Sequence, residues 1–445
     1  MKHFESYIDQ MSRLYPDLHH SDDPDNTDKI LTQCVTFQVT DDCNLACKYC
    51  YQVCKGKRRM SFETAKAFVD LLISGDKGFS KYVNPKRSPG LVVDFIGGEP
   101  FLEIELIDQI CTYLMDRLIE LNHPWATKLM FSICSNGVLY TDPKVQAFLN
   151  KWKNRLSFSV TIDGNKELHD SCRVFPDGRP SYDLAVNAAM DWMSRGFDMG
   201  SKITIAPDNI SYLYDAIKHI IELGYTEINA NCVYEKGWTT MHATVLYDQM
   251  KRIADYCLDA DLDFERDFSL SLFNESFFCP KDEDDLQNWC GGNGVMLSCD
   301  PDGKLYPCIR YMESSLGNDQ EPYSIGDIYN GIGTCDCEKC RIECLKKIDR
   351  RTQSTDECFY CPIAAGCSWC TAYNYQVFGT PDARATYICI MHKARALGNL
   401  YFWNKYYRKH GMEKRMKNYV PDEWALEIIS EKELNMLKEL AREDN

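Results

Sequence analysis

Three cysteines spaced Cys43-x3-Cys47-x2-Cys50 are the part of this sequence best suited to chemistry. Three thiolates from one tight loop can hold three irons of a [4Fe–4S] cube and leave the fourth without a protein ligand. That vacancy accepts a small molecule presenting an amine and a carboxylate side by side. A structural zinc site wants four protein ligands, so zinc here would need Cys34 or Cys54 to complete the set.

The remaining cysteines follow the same logic. Of 23 in all, thirteen lie between Cys279 and Cys389 and only six between Tyr51 and Phe278. The Met1–Glu5 start lacks a signal-peptide core and no apolar run reaches membrane-spanning length, so a cytoplasmic protein is expected. In a reducing compartment, thiols at that density point to metal or cluster ligation rather than disulfides. A formal net charge of −16 repels phosphate backbones and argues against nucleic-acid binding. Cys34, Cys111, Cys134 and Cys257 sit in apolar patterns and read as small core residues. The basic run from Lys55 to Arg59 reads as a solvated loop, or as a patch steering an acidic peptide.

The elements that must position these groups alternate. Strand patterns at 34–39, 91–96, 129–134, 156–162, 201–205 and 227–231 alternate with helical ones at 62–73, 104–121, 144–152, 182–193 and 210–223. Ser61 is a plausible N-cap for the first helix, with Glu63 in its first turn. Repeated βα units predict an α/β fold, a partial (β/α)6 barrel of TIM type, with its chemistry at the C-terminal strand ends. The expected organisation is a lead-in at 1–30, the barrel at 31–240, a linker helix at 241–278, a cysteine-rich domain at 279–392 and a helical tail at 393–445. The cysteine-rich part shows little periodicity, so cluster ligation is expected to supply its stability in place of an apolar core.

With Tyr49 just before Cys50, the first cysteine loop resembles the CxxxCxΦC signature of radical S-adenosylmethionine (SAM) enzymes. The likeness extends from Cys34 to about Asn231 and recurs at each strand end. Gly97-Gly98-Glu99-Pro100 is similar to the family's GGE motif, which implies a hold on the SAM amino group. Ser135-Asn136-Gly137 is similar to the ribose-side loop. Thr161-Ile162-Asp163-Gly164 ends the fourth strand, and His169-Asp170-x2-Arg173 follows it. By that similarity Thr161 faces the ribose and Arg173 the SAM carboxylate, while His169 reads as local packing.

Downstream, Cys290-x12-Gly303-x4-Cys308, then Cys358-x2-Cys361-x5-Cys367-x2-Cys370, then Cys389, resemble the SPASM extension with its two auxiliary [4Fe–4S] clusters. The resemblance implies Cys290, Cys308 and Cys370 at the first auxiliary cluster and Cys358, Cys361, Cys367 and Cys389 at the second. The last spacing of the central run is one residue shorter than the family's, which puts Cys370 in question. Cys279 or Cys299 would supply a missing ligand, or one iron stays open. A further quartet, Cys335-x-Cys337-x2-Cys340-x3-Cys344, is separated by charged residues and reads as a third cluster or zinc site, with a reactive thiol set as the alternative.

Within SPASM enzymes the layout is most similar to maturases of ribosomally made peptides, which form thioether or carbon–carbon crosslinks. This implies a precursor peptide as substrate and an external reductant such as flavodoxin or ferredoxin. Sulfatase-activating relatives place Asp after the cysteine matched by Cys308, where this chain has Ile309. Only 42 residues precede Cys43, fewer than the leader-binding module of many peptide maturases, which implies another recognition surface or a separate leader-binding protein. A non-catalytic iron–sulfur or zinc scaffold is the reading of a different class.

Overall fold

The computed structural model describes residues 32–287, 290–294, 296–317 and 319–442; the lead-in expected at 1–30 lies outside them. The expected strands form as β1 Thr32–Thr40, β2 Gly90–Gly97, β3 Leu129–Ser135, β4 Leu156–Val160, β5 Gly200–Ile205 and β6 Glu227–Cys232. Between and after them run α1 Phe62–Ser74, α2 Ile104–Glu120, α3 Pro143–Trp152, α4 Lys166–Cys172, α5 Tyr182–Ser194, α6 Leu213–Glu222 and α7 Thr240–Asp259. Ser61 caps α1 by accepting from the Thr64 amide, Glu63 lies in its first turn, and Gly75 closes it at φ 70°.

β1 to β4 pair in parallel, as do β5, β6 and the short β7 Ser269–Leu270. Hydrogen bonding breaks between β4 and β5, giving two curved sheets and a partial barrel. The outer face carries Val35, Phe37, Val39, Phe95, Phe131 and Phe158, all nearly or wholly buried. Phe37 meets Phe68 of α1 edge-on at 4.9 Å, and Phe131 meets Trp152 of α3 at 5.0 Å. Parallel strands covered on both faces usually read as continuous apolar runs. Here the strands alternate because their inner face lines a polar, accessible lumen: Cys134, Lys202 and Asn231 are exposed although each lies within a strand.

That lumen corrects part of the cysteine reading. Cys111 and Cys257 are core residues, but Cys34 is half-buried and Cys134 exposed. An apolar pattern around a strand cysteine does not say which face it occupies, and these two occupy the inner one.

The cysteine-rich region joins the same sheet. β8 Met296–Cys299 lies parallel beside β1, with Cys34 opposite Met296 and Phe37 opposite Cys299. β9 Lys304–Tyr306, β10 Gly326–Asp327 and β11 Gly331–Ile332 extend it antiparallel. The region also has an apolar core of its own, contrary to expectation: Tyr306, Tyr311, Met312, Leu316, Tyr323, Leu345, Ile348 and Tyr375 pack together. Tyrosines carry it, and their mixed character hid it from a periodicity reading.

Farther on come α8 Asp336–Lys346, α9 Thr371–Phe378, α10 Cys389–Lys409 and α11 Glu431–Leu440. α10 packs along α7, and its aromatic segment turns inward, with Phe402 stacked on Phe273 at 4.2 Å.

Candidate active site

β1 delivers the chain into the cysteine loop, and β2 delivers the two glycines against it. The Gly98 amide donates to Thr40 O at 3.1 Å and the Glu99 amide to Asp42 O at 2.8 Å, stitching the loops together. A Cβ on Gly98 would lie 2.3 Å from Asp42 O and 2.7 Å from the Cys43 Cβ. On Gly97 it would lie 2.9 Å from Thr40 O. The close approach therefore requires glycine. Pro100 opens the short 3-10 turn that follows.

Glu99 is 1% exposed. It accepts from the Ser135 hydroxyl at 2.7 Å, the Asn136 amide at 2.9 Å and the Phe101 amide at 3.1 Å. Burial raises its carboxyl while these donors oppose the shift. Glu99 thus fastens the β2 and β3 loops to each other, and the Asn136 side chain donates from Nδ2 to Asn44 Oδ1 at 2.7 Å, inside the cysteine loop.

A second network comes from the end of β4. Arg173 Nε pairs with Asp163 Oδ2 at 2.9 Å, and the Tyr49 hydroxyl donates to the same oxygen. The guanidinium lies 5.3 Å from the Tyr49 ring centre, and its Nη1 is 3.9 Å from Cys47 Sγ. Burial raises the Cys47 thiol, and the Arg173 charge is the largest influence pulling it down. His169, pushed down to about 4 by burial, is neutral at pH 7. Its Nδ1 lies 3.4 Å from the Asp163 amide and its Nε2 3.1 Å from Ser181 Oγ, which donates to Arg173 O. His169 thereby holds the loop that carries Asp163 and Arg173. The Thr161 amide donates to Ser135 O, and its hydroxyl stands 3.3 Å from Cys134 Sγ.

The basic run is a largely exposed loop, with Lys55, Lys57 and Arg59 open to solvent, whose side chains also reach partners at this site. Arg58 pairs with Asp41 at 2.6 Å and with Asp302 of the β8–β9 hairpin at 2.7 Å; Arg59 reaches Glu103 at 3.1 Å. Lys55 donates to Leu45 O at 2.9 Å. Partners so far away in the chain leave no local sequence signal.

The downstream thiols gather in two sets. The position a Gly292 Cβ would take is 3.5 Å from both Cys290 Sγ and Cys308 Sγ. The Cys308 thiol is driven up by burial, then by neighbouring Cys370 and Cys290. Cys389 is pushed up to about 12 by burial and then by Cys367, Cys358 and Cys361, and Arg384 donates to Cys367 Sγ at 3.1 Å. Cys299 is buried in β8 with its thiol on Asp300 O, and the Cys279 thiol lies 3.8 Å from Ser276 O. The quartet lies along α8. Cys335 is the N-cap and its sulfur accepts from the Glu338 amide, while Cys337, Cys340 and Cys344 fall at helical spacing on one stripe. Among the described residues, no three Cys, His, Asp or Glu side chains close on the position of a single metal ion.

Arg310 links the two halves. It pairs with Glu235 at 3.1 Å, lies 6.0 Å from the ring centre of Tyr51, beside Cys50, and feels the charges of Cys370 and Cys308.

The donor set fits the groups that the sequence resemblance implied. Three thiols share one loop, Gly98 leaves room only for its own hydrogen, and two buried polar atoms there, Asn44 Nδ2 and Asp163 Oδ1, have no protein partner. The fold is a partial parallel barrel with a cysteine-rich C-terminal region, an architecture it shares with solved structures, and its strand-end loops are similar to those of radical SAM enzymes carrying a SPASM extension. Proteins named as maturases are among its relatives. The chain is 24% identical over 311 residues to the serine-type anaerobic sulfatase-maturating enzyme of Bacteroides thetaiotaomicron, across 62% of this chain and 69% of that one. It is 25% identical over 289 residues to the mycofactocin maturase MftC of Mycolicibacterium smegmatis, across 62% and 64%. The chain thus spans about two thirds of these relatives' length. Among solved structures, anSMEcpe with bound AdoMet and the Cp18Cys peptide superposes with a TM-score of 0.57 at 16% identity, covering 86% of this chain and 99% of that one. Streptococcus suis SuiB bound to precursor peptide SuiA gives 0.51 at 14%, covering 81% and 76%. No family model matches the chain. No helix among the described residues is long and apolar enough to cross a membrane.

Proposed function

We propose that this chain is a radical SAM peptide maturase that forms a thioether or carbon–carbon crosslink in a ribosomally made precursor peptide. The observation that carries the proposal is the three-thiol loop of Cys43, Cys47 and Cys50, locked by Gly98 and Glu99 at the mouth of a polar lumen. Cys43, Cys47 and Cys50 would hold a [4Fe–4S] cluster, and the Gly97–Pro100, Ser135–Asn136 and Thr161–Asp163 loops would receive SAM. When bound, the reduced cluster and SAM supply a 5′-deoxyadenosyl radical able to take hydrogen from an unactivated C–H bond.

The chain's own residues orient and shield. Glu99 fixes the second and third strand-end loops at one spacing, and Asp163 with Tyr49 fixes Arg173 beside Cys47. Arg310, 6.0 Å from the Tyr51 ring centre and under the charge influence of Cys370 and Cys308, relates the three-thiol loop to a Cys290, Cys308 and Cys370 set that would take an electron from substrate. A mycofactocin maturase and a bacteriocin biosynthesis protein among the relatives, and a structure bound to a precursor peptide among the fold neighbours, support a peptide substrate. Reducing equivalents come from a flavodoxin- or ferredoxin-type donor, and leader recognition falls to another surface or a partner protein.

A sulfatase-activating role is the second proposal, supported by the Bacteroides relative. Anaerobically reconstituted protein with dithionite is expected to release 5′-deoxyadenosine. A Cys-containing synthetic peptide drawn from a neighbouring reading frame is expected to lose two mass units. No 5′-deoxyadenosine would mean a non-catalytic scaffold, and conversion of a sulfatase-site Ser or Cys with no peptide crosslink would move the function to sulfatase activation.

A further inference from the structure

One row of inward-facing side chains crosses the barrel. In register it reads Ser298 on β8, Thr36 on β1, Asp94 on β2, Ser132 on β3 and Ser157 on β4. Four positions are hydroxyls and the fifth is a carboxylate. The opposite faces of the same strands hold the Phe37, Phe95 and Phe158 layer, so Asp94 cannot turn away to bulk solvent at the surface. Its carboxylate sits deep in the barrel yet still touches the lumen, and it is hydrogen-bonded to Ser132.

The groups that face it are few. Lys202 projects from β5 across the lumen and acts on it through charge rather than contact. Cys34 approaches from β1. Tyr51 approaches from the cysteine loop, with Cys134 and Arg310 nearby. Tyr51 therefore ties this carboxylate to both the three-thiol loop and the Arg310 side of the Cys290, Cys308 and Cys370 set. Asp94 precedes Gly98 by four residues, about 13 Å of strand. It lies below the loops proposed to receive SAM, at a depth that substrate in the lumen would occupy.

A crosslink formed with net loss of two hydrogens needs three acceptors. One hydrogen atom leaves to the 5′-deoxyadenosyl carbon and one electron to an iron–sulfur acceptor on the downstream thiols. One proton, from the thiol or C–H that becomes bonded, must go to a base as the new bond closes. We propose that Asp94 is that base, the catalytic proton acceptor of the lumen; the assignment rests on the maturase function proposed above. Ser132 holds the carboxylate in place by a hydrogen bond, and Lys202 moderates its basicity from across the lumen. Burial raises the carboxyl to about 6, with Ser132 and Lys202 opposing the rise, so it is deprotonated at pH 7 and still basic enough to accept.

Two readouts test this. The first is infrared titration of the full chain without substrate. In the wild-type minus Asp94→Asn difference spectrum, the carbonyl band of a protonated carboxylic acid is expected to vanish with a midpoint near pH 6, and to do so at higher pH when the difference is taken in a Lys202→Met background. A difference spectrum with no such band, or an Asp94 midpoint in the ordinary carboxylate range, overturns the proposal. The second uses the Cys-containing synthetic peptide that passes the mass test. Asp94→Asn is expected to lower product formed per 5′-deoxyadenosine about 100-fold, with partial recovery in Asp94→Glu. In the wild type that ratio should rise with pH through about 6 and then level, since only the deprotonated form accepts. An unchanged ratio in Asp94→Asn overturns the role of Asp94 alone. A wild-type chain that makes no 5′-deoxyadenosine overturns the maturase function and this role with it.

Discussion

Replacing Gly98 with alanine is expected to reduce SAM cleavage at least about 100-fold while the barrel still folds. The added Cβ would meet the Asp42 carbonyl oxygen at 2.3 Å, its carbon at 2.5 Å and the Cys43 Cβ at 2.7 Å. Two of those atoms are backbone, so no rotamer change relieves the clash. Either the Gly97–Pro100 loop lifts away or the cysteine loop does, and both amide bonds across the seam, Gly98 to Thr40 and Glu99 to Asp42, are lost or stretched. A displacement near 1 Å at a positioning loop is worth about 100-fold in rate. The measurement is 5′-deoxyadenosine released under dithionite, alongside the iron retained by the protein. Gly178→Ala is the control: its φ of 85° strains a side chain, but nothing lies within 4 Å. It should cost about 1 kcal/mol of stability and leave cleavage intact. If Gly98→Ala cleaves SAM at the wild-type rate, the two loops do not form the site described.

Arg350→Ala is expected to destabilise the cysteine-rich region by about 3–5 kcal/mol. Arg350 is 3% exposed, and its guanidinium donates to Asp282 O at 2.6 Å, Asp285 O at 2.9 Å and Phe359 O at 2.5 Å. It also lies 4.2 Å from the Phe359 ring centre. The fork ties the 282–286 segment to the residue next to Cys358. Removing it leaves buried carbonyls unpaired, and Arg350→Lys should recover only part of the loss, because one ammonium cannot serve three divergent acceptors. Thermal melting of the iron-loaded protein, with release of iron followed in parallel, reads both effects. A melting curve unchanged from wild type would show that the clamp adds nothing to this region's stability.

Strand and helix order was legible because β1 to β6 carry period-two alternation between helical patterns, the first with a clear cap in Ser61; the short α4 behind Asn165 was not read. The loops at the strand ends were legible because their residue types are unusual and recur in step with the strands. What escaped the sequence depended on direction or distance. Alternation around Cys34 and Cys134 marks a strand without telling the inner face from the outer. Arg58 finds Asp302 some 244 positions away, and no local pattern records such a pair. β8 to β11 are two to four residues each, too short for a periodic signal, yet they extend the sheet past β1. Asp94 sits in an otherwise apolar stretch, Leu91–Ile96, and its place at the centre of a hydroxyl row emerges only from pairing register.

Glu99 shows the same limit at finer scale. Its motif led to an expectation of direct contact with a bound amine. In the fold its two carboxylate oxygens accept three protein donors and so also fix two loops, with acceptor capacity left for such an amine. Among the described residues, Asn44 Nδ2 and Asp163 Oδ1 are buried at the site without a protein partner, and no spacing rule singles them out.

The central claim is that Cys43, Cys47 and Cys50 hold a cube with one iron left for SAM. Mössbauer and EPR spectroscopy of anaerobically reconstituted protein, with and without SAM, tests it most directly. The account predicts a site-differentiated signal that SAM perturbs and that disappears in the Cys43→Ala, Cys47→Ala, Cys50→Ala triple variant. A spectrum indifferent to SAM, or one unchanged in that variant, would contradict it.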